Sequence, residues 1–248
     1  ATHGLFVGET FAKGLFPDPA ALLPAPKVSA RAGVTWVQKP RSGKLTGNLF
    51  LDGSAVHARW PGCGRAGWGV VQLNDQGWLT AAAYGPVPQD EAPQQQARDG
   101  EDYAAFMLTL LAEPPFKVYV DCSGTVGCLT APPAFSCGAA NERAHLWTRF
   151  WAAYDNGDFQ CVKTKAHTSL MDVERGITTH WQRKGNMLAD KYAKLGARDH
   201  GLTDEHMDMY SGLKALAAEA ARWAGDQEAD MASAGIVDAS PLEAGAAR

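Results

Sequence analysis

Four acidic residues stand in contexts that could bring carboxylates to one place. Asp52 heads the triplet Asp52-Gly53-Ser54, which closes the apolar run 48–51 and precedes a second apolar stretch, 67–71. Glu101 opens an apolar helical stretch, Asp121 ends the run 116–120, and Asp190 lies in an Ala-rich helical segment. Two carboxylates about 4 Å apart repel by roughly 4 kcal/mol at an effective dielectric of about 20. Four in one pocket therefore make sense only around a divalent cation. Magnesium takes oxygen ligands, usually carboxylates with water and substrate phosphate. Two such ions can activate water on one side of a phosphodiester and stabilise the leaving oxygen on the other. The pattern predicts a metal-dependent nuclease. Each acid also has an ordinary role open to it. Asp-Gly-Ser suits a turn, an acid in a first helical turn complements the helix dipole, Asp121 could cap a helix, and Asp190 lies at the border of an apolar helical stripe. Asp99 and Asp102 compete with Glu101 on the same turn.

The elements that would position these acids follow from periodicity. Strands are expected over 47–52, 66–73 and 77–84, the last two joined by a hairpin turn at Asn74-Asp-Gln-Gly77. A helix over 98–112 is apolar almost all round and so predicted to be buried. Pro114-Pro115 stops it, and strands follow at 116–120 and 159–164. Trp147, Phe150, Trp151 and Tyr154 recur at helical spacing within 140–154, with Asn141 as candidate N-cap. Further helices are expected over 183–197 and 203–224. The order β-β-β-α-β-α-β-α implies an α/β fold, a five-stranded mixed sheet flanked by helices.

The 248-residue chain, 46% hydrophobic with eight Trp, can bury a sizeable core. A net charge of −4 does not advertise a nucleic-acid binder. Residues 163–198, however, gather Lys163, Lys165, Arg175, Arg183, Lys184, Lys191, Lys194 and Arg198, a local basic face for phosphates. Five cysteines without a C-x-x-C pair or finger spacing argue against zinc. Their odd number predicts a reducing, intracellular setting, nuclear or cytoplasmic. No run is long and apolar enough to span a membrane. Residues 1–46, rich in Pro and Gly, are expected to form an arm or linker, 47–199 the domain, and 200–248 a C-terminal helix and flexible tail. The absence of an initial Met predicts a segment of a longer polypeptide.

Taken in order, Asp52-Gly-Ser with Gly67-Trp-Gly, Glu101 before an apolar helix, Val118-Tyr-Val-Asp121-Cys-Ser, Val162-Lys-Thr-Lys-Ala-His167-Thr and Gly185-Asn-Met-Leu-Ala-Asp190 resemble a type 1 ribonuclease H domain. The likeness covers about residues 47–199 and is nearest to the domains of non-LTR, LINE-type retrotransposon polyproteins. It implies the ribonuclease H-like fold and hydrolysis of the RNA strand of an RNA–DNA hybrid. It also implies two Mg²⁺ ions, with Mn²⁺ as a substitute, and an upstream reverse transcriptase domain in the same polyprotein. By the same resemblance Asp52, Glu101, Asp121 and Asp190 would hold the metals, and His167 would help move protons and release product. Gly53, Ser54, Gln95, Gln96, Lys165, Thr168 and Asn186 would contact substrate. The chain departs from compact members by an insertion over 169–184 and by Cys122 in place of a usual Ser. The alternative implied by the same likeness is a catalytically inactive ribonuclease H-like module that binds nucleic acid or serves as a spacer.

Overall fold

A computed structural model describes residues 18–234. They fall into two compact units. One spans Pro24–Leu202 and carries all the candidate functional residues. The other, within the described range, contains the 3-10 helix Pro19–Leu22 and the helix Asp204–Ser233.

In the larger unit, six strands form one sheet among the described residues: Thr35–Gln38 (β1), Leu45–Val56 (β2), Arg65–Leu73 (β3), Leu79–Pro86 (β4), Ala112–Val120 (β5) and Phe159–Lys163 (β6). Their order across the sheet is β1-β4-β3-β2-β5-β6. The strands β1 to β4 pair antiparallel, whereas β5 and β6 run parallel to β2. The local reasons are plain. Asn74 ties the β3–β4 turn by accepting the Trp78 N–H on its side chain at 2.8 Å, and Gly77 supplies the positive φ of 79° that the turn requires. A parallel return from β4 to β5 needs a crossover, which Ala97–Leu111 (α1) provides.

Both faces are covered, which explains why the strands read as nearly continuous apolar runs. Leu49 and Leu51 point to the face packed by Tyr103, Phe106 and Leu108 of α1 and by Trp147 and Phe150 of Ala144–Ala153 (α4). Phe50 points to the other, against Ala189 and Tyr192 of His180–Arg198 (α6). Three short or connecting helices complete the order: Ser123–Thr130 (α2), Pro133–Ser136 (α3) and Leu170–Glu174 (α5). The helix Asp204–Ser233 is α7.

This is the mixed α/β class expected, with one strand more than five. β1 adds to the edge at β4, Thr35 opposite Tyr84 and Trp36 opposite Ala83. It lies within the stretch expected as a lead-in; the remainder of that stretch up to residue 17 lies outside the described residues. β2 does not end at Asp52 but continues to Val56, because Gly53, Ser54 and Ala55 find partners in Trp68, Gly67 and Ala66. Asp-Gly-Ser is strand here, not turn. α6 begins three residues earlier than expected, since Thr179 and Gln182 form a capping box. Arg143 rather than Asn141 is the N-cap of α4; the Asn141 side chain instead accepts the Arg143 N–H at 3.0 Å. α7 runs past residue 224 to Ser233, and the rest of the expected tail lies outside the described residues.

Candidate active site and metal centre

Parallel pairing sets the first two acids side by side. Phe50 of β2 lies opposite Tyr119 of β5. Asp52 and Asp121, each two residues further on, therefore leave the same end of the sheet on the same face. Glu101 arrives from α1, on the opposite layer. Its approach depends on glycines: a Cβ at Gly53 would stand 2.0 Å from the Glu101 nitrogen, and one at Gly100 would stand 2.8 Å from the Gly53 Cα. Only bare backbone at both positions lets the helix sit this close. Carboxylate oxygens of Asp52, Glu101 and Asp121 consequently lie within 4.8 Å of one another. Asp190 comes from α6, which settles against β3 at Gly67 and Gly69 in the same way: a Cβ at either would meet α6 backbone at 1.9 and 2.7 Å.

The rivalry on the first turn of α1 is decided by partners. Asp99, Glu101 and Asp102 are all buried. Asp99 is paired with Arg143, and Asp102 with Arg98 at 2.9 Å and with the Thr125 hydroxyl at 2.8 Å. Glu101 has no such cation among the described residues. It faces Asp52, and its Oε2 is buried without a hydrogen-bond partner. Burial first, then the neighbouring Asp52, hold the Glu101 carboxyl well above its usual range. Asp52 is pushed up to about 7, chiefly by burial, with Asp121 and Asp190 adding repulsion against the relief given by hydrogen bonds to Glu101 and the Gly53 N–H. Three carboxylates crowded without a counter-ion, one with an orphaned oxygen, fit a divalent cation.

In front of this cluster lies a cavity of about 120 Å³, room for several water-sized groups. Asp52 and Asp121 line it, with Arg183, Asn186, Met187 and Asp190 from α6 and with His167 and Thr168 from the segment before α5. Asp190 is braced by Lys194 at 2.7 Å, one turn along the helix. Asn186 donates to Asp121 Oδ2 at 2.8 Å, while its own Oδ1 is buried and unpartnered. Lys163 donates to the Asp121 carbonyl. His167 adopts φ of 48°, a left-handed conformation uncommon outside glycine and frequent at working sites.

Not every residue expected at the substrate faces it. Gln95 is buried, and its amide is consumed by backbone: Oε1 accepts the Ala66 N–H at 2.8 Å, while Nε2 donates to Ala92 and Val87 carbonyls. It clamps the loop before α1 onto β3 and has nothing left to offer a ligand. Gln96 is the N-cap of α1, its N–H donating to Asp99 at 2.7 Å. Lys165 is not in the cavity wall but pairs with Asp172 at 2.6 Å, tying down the inserted segment. Gly53 serves close packing, and Ser54 is half-buried in β2. Sequence reasoning placed Arg183 in the basic face over 163–198 and in the insertion, and did not foresee Arg143 and Arg98 as the partners of the rival acids. A guanidinium within helical reach of an acid, as Arg98 is of Asp102, was the available signal.

No protein-family model matches the sequence, and no curated protein matches it. Among solved structures, the chain is similar to the native protease–reverse transcriptase of prototype foamy virus, with 21% identity and a TM-score of 0.48. That match covers 66% of this chain but 22% of the viral one, so this chain corresponds to about a fifth of that polypeptide. It is also similar to the isolated RNase H domain of the same virus (18% identity, TM-score 0.46), over 64% of this chain and 98% of that one. A third similar structure is RNase H1 of the halophilic archaeon Halobacterium salinarum NRC-1 (14% identity, TM-score 0.41), over 61% of this chain and 97% of that one.

Proposed function

We propose that the chain is an endonuclease that hydrolyses the RNA strand of RNA–DNA hybrids, with divalent cations held by Asp52, Glu101, Asp121 and Asp190. One observation carries this reading: three carboxylates from three separate elements converge within 4.8 Å, and none of the three is in an ion pair among the described residues. A pair of Mg²⁺ ions, or Mn²⁺ in their place, would neutralise phosphate charge and stabilise the leaving oxygen. The chain's own residues do the positioning. Asn186 fixes the rotamer of Asp121 through its 2.8 Å hydrogen bond, Lys194 steadies Asp190, and buried Glu101 supplies an oxygen with no competing partner. His167, in the cavity wall, is suited to carry a proton between the reacting phosphate and solvent.

Selectivity for a hybrid would come from 2′-hydroxyls met across a wide, shallow minor groove, and sequence preference would be weak because contacts fall on sugar and phosphate. Thr168, which lines the cavity with the acids, is the proposed contact. A place beside a reverse transcriptase in a retroelement polyprotein, acting in the nucleus or cytoplasm, suits this chemistry. No helix among the described residues is long and apolar enough to cross a membrane. The test is a comparison of three labelled duplexes of one sequence, RNA–DNA, DNA–DNA and RNA–RNA, in millimolar Mg²⁺. The expected outcome is cleavage of the RNA strand in the hybrid alone. Binding of the hybrid without cleavage would point instead to an inactive binding module.

A further inference from the structure

Arg183 has no role in the reading above, yet it is a cation in the wall of an acid-lined cavity. It shares that cavity with Asp52, Asp121 and Asp190 but forms an ion pair with no acid among the described residues. Its side chain is nonetheless held: Nε donates to the Thr168 carbonyl at 3.0 Å. That bond uses the donor nearest the chain, and the two terminal nitrogens of the planar fork have no hydrogen-bond or ion-pair partner among the described residues. A guanidinium so anchored is preorganised for bidentate contact with a phosphate.

A second feature at the same place favours an anion. Arg183 closes the first turn of α6, where the exposed N–H groups already carry partial positive charge and a cation is unfavourable. Both features favour a visiting anion, and they act together at one end of the same cavity. The segment that delivers Arg183 is also fixed. Ser169 and Asp172 form a capping box on α5, Lys165 pairs with Asp172, and Thr179 caps α6. The inserted residues 169–184 thus have a job beyond length: they hold a guanidinium in the wall of the cavity that Asp52, Asp121 and Asp190 also line.

We propose that Arg183 holds a backbone phosphate of the strand being cut, next to the scissile one. Anchored to Thr168, it sets the register of the substrate against the acids. This rests on the proposed nuclease reading. It predicts a phosphate contact that contributes to binding and alignment more than to bond breaking.

The test uses the full chain and a labelled RNA–DNA hybrid. Binding is measured across a salt series with an Asp52→Asn background to prevent cleavage, and turnover is measured with Asp52 intact. Arg183→Ala is expected to weaken binding about tenfold and to lower the slope of log affinity against log salt by about one. KM should rise by a similar factor with kcat changed far less. Arg183→Lys should restore most of the salt slope but less of the affinity, since an ammonium is a point charge without the fork. Arg183→Gln keeps a donor for Thr168 but not the charge, and should behave like Arg183→Ala. The inference is overturned if Arg183→Ala leaves affinity and slope unchanged, or if Arg183→Gln restores both, which would make Arg183 a strap for Thr168. If the wild type itself neither binds nor cuts the hybrid, the nuclease reading fails and Arg183's role goes with it.

Discussion

Asp52 concentrates the chemistry of the site in a single titration. Its carboxyl holds a proton up to about 7 in the fold against an ordinary 3.8, because burial and neighbouring acids both disfavour its charge. The folded state therefore binds more protons than the unfolded state across that window. The associated stability is present below the unfolded value and is lost as pH rises through the folded one, by up to about 1.4 kcal/mol per unit. Glu101, raised for the same reasons, acts in the same direction. We expect urea denaturation in EDTA to show wild-type stability falling between about pH 4 and 7 relative to Asp52→Asn, which should be flatter. A wild type that instead gains stability over the variant with rising pH would mean that Asp52 is not desolvated. Arg143→Ala belongs to the same scale. It would leave the buried Asp99 without its partner and should cost about 3–5 kcal/mol, read as a lowered denaturation midpoint.

Among the elements, the approach of α1 to β2 decides which acid joins Asp52 and Asp121. The periodicity of 98–112 told that a buried helix was there, but not how it was rotated about its axis. Three acids on one turn were equivalent until Gly53 and Gly100 fixed the contact and Arg98 and Arg143 claimed the other two. Gly53→Ala should therefore destabilise by about 3 kcal/mol through overpacking and displace Glu101 enough to abolish metal binding; an unchanged melting temperature would contradict this. Gln95 was misread for a related reason. A Gln triplet in a Pro-flanked loop looks like free polar surface, and nothing local reveals that Ala66, Val87 and Ala92 need its amide. Removing that amide in Gln95→Ala should cost about 2–4 kcal/mol, since unsatisfied buried backbone groups are expensive. Affinity per folded molecule for a hybrid should stay the same. The strand β1 escaped notice because four residues between Pro- and Gly-rich flanks carry too little periodicity; its place at the sheet edge is set by β4. By contrast, β2 to β5 and the helices α1, α4 and α6 were legible because each buries an apolar face long enough to leave a period.

For the whole molecule, a net charge of −4 and a cavity lined by three acids mean that the proposed nucleic-acid substrate and the protein would repel until cations intervene. Folding and metal binding would then be coupled. Any Mg²⁺ bound by the folded state alone stabilises it, by about 2.7 kcal/mol at a hundredfold excess over Kd. A rise in melting temperature with millimolar Mg²⁺ that disappears in Asp52→Asn is the expected signature. The most direct test of the account joins metal, acids and reaction. An RNA–DNA hybrid labelled on the RNA strand is incubated in Mg²⁺ with the wild type or with Asp52→Asn, and the products are resolved by size and end group. The account predicts RNA fragments with 5′-phosphate and 3′-hydroxyl ends from the wild type, an intact DNA strand, and no cleavage from the variant or in EDTA. Equal cleavage by Asp52→Asn, or none by the Mg²⁺-loaded wild type, would contradict it.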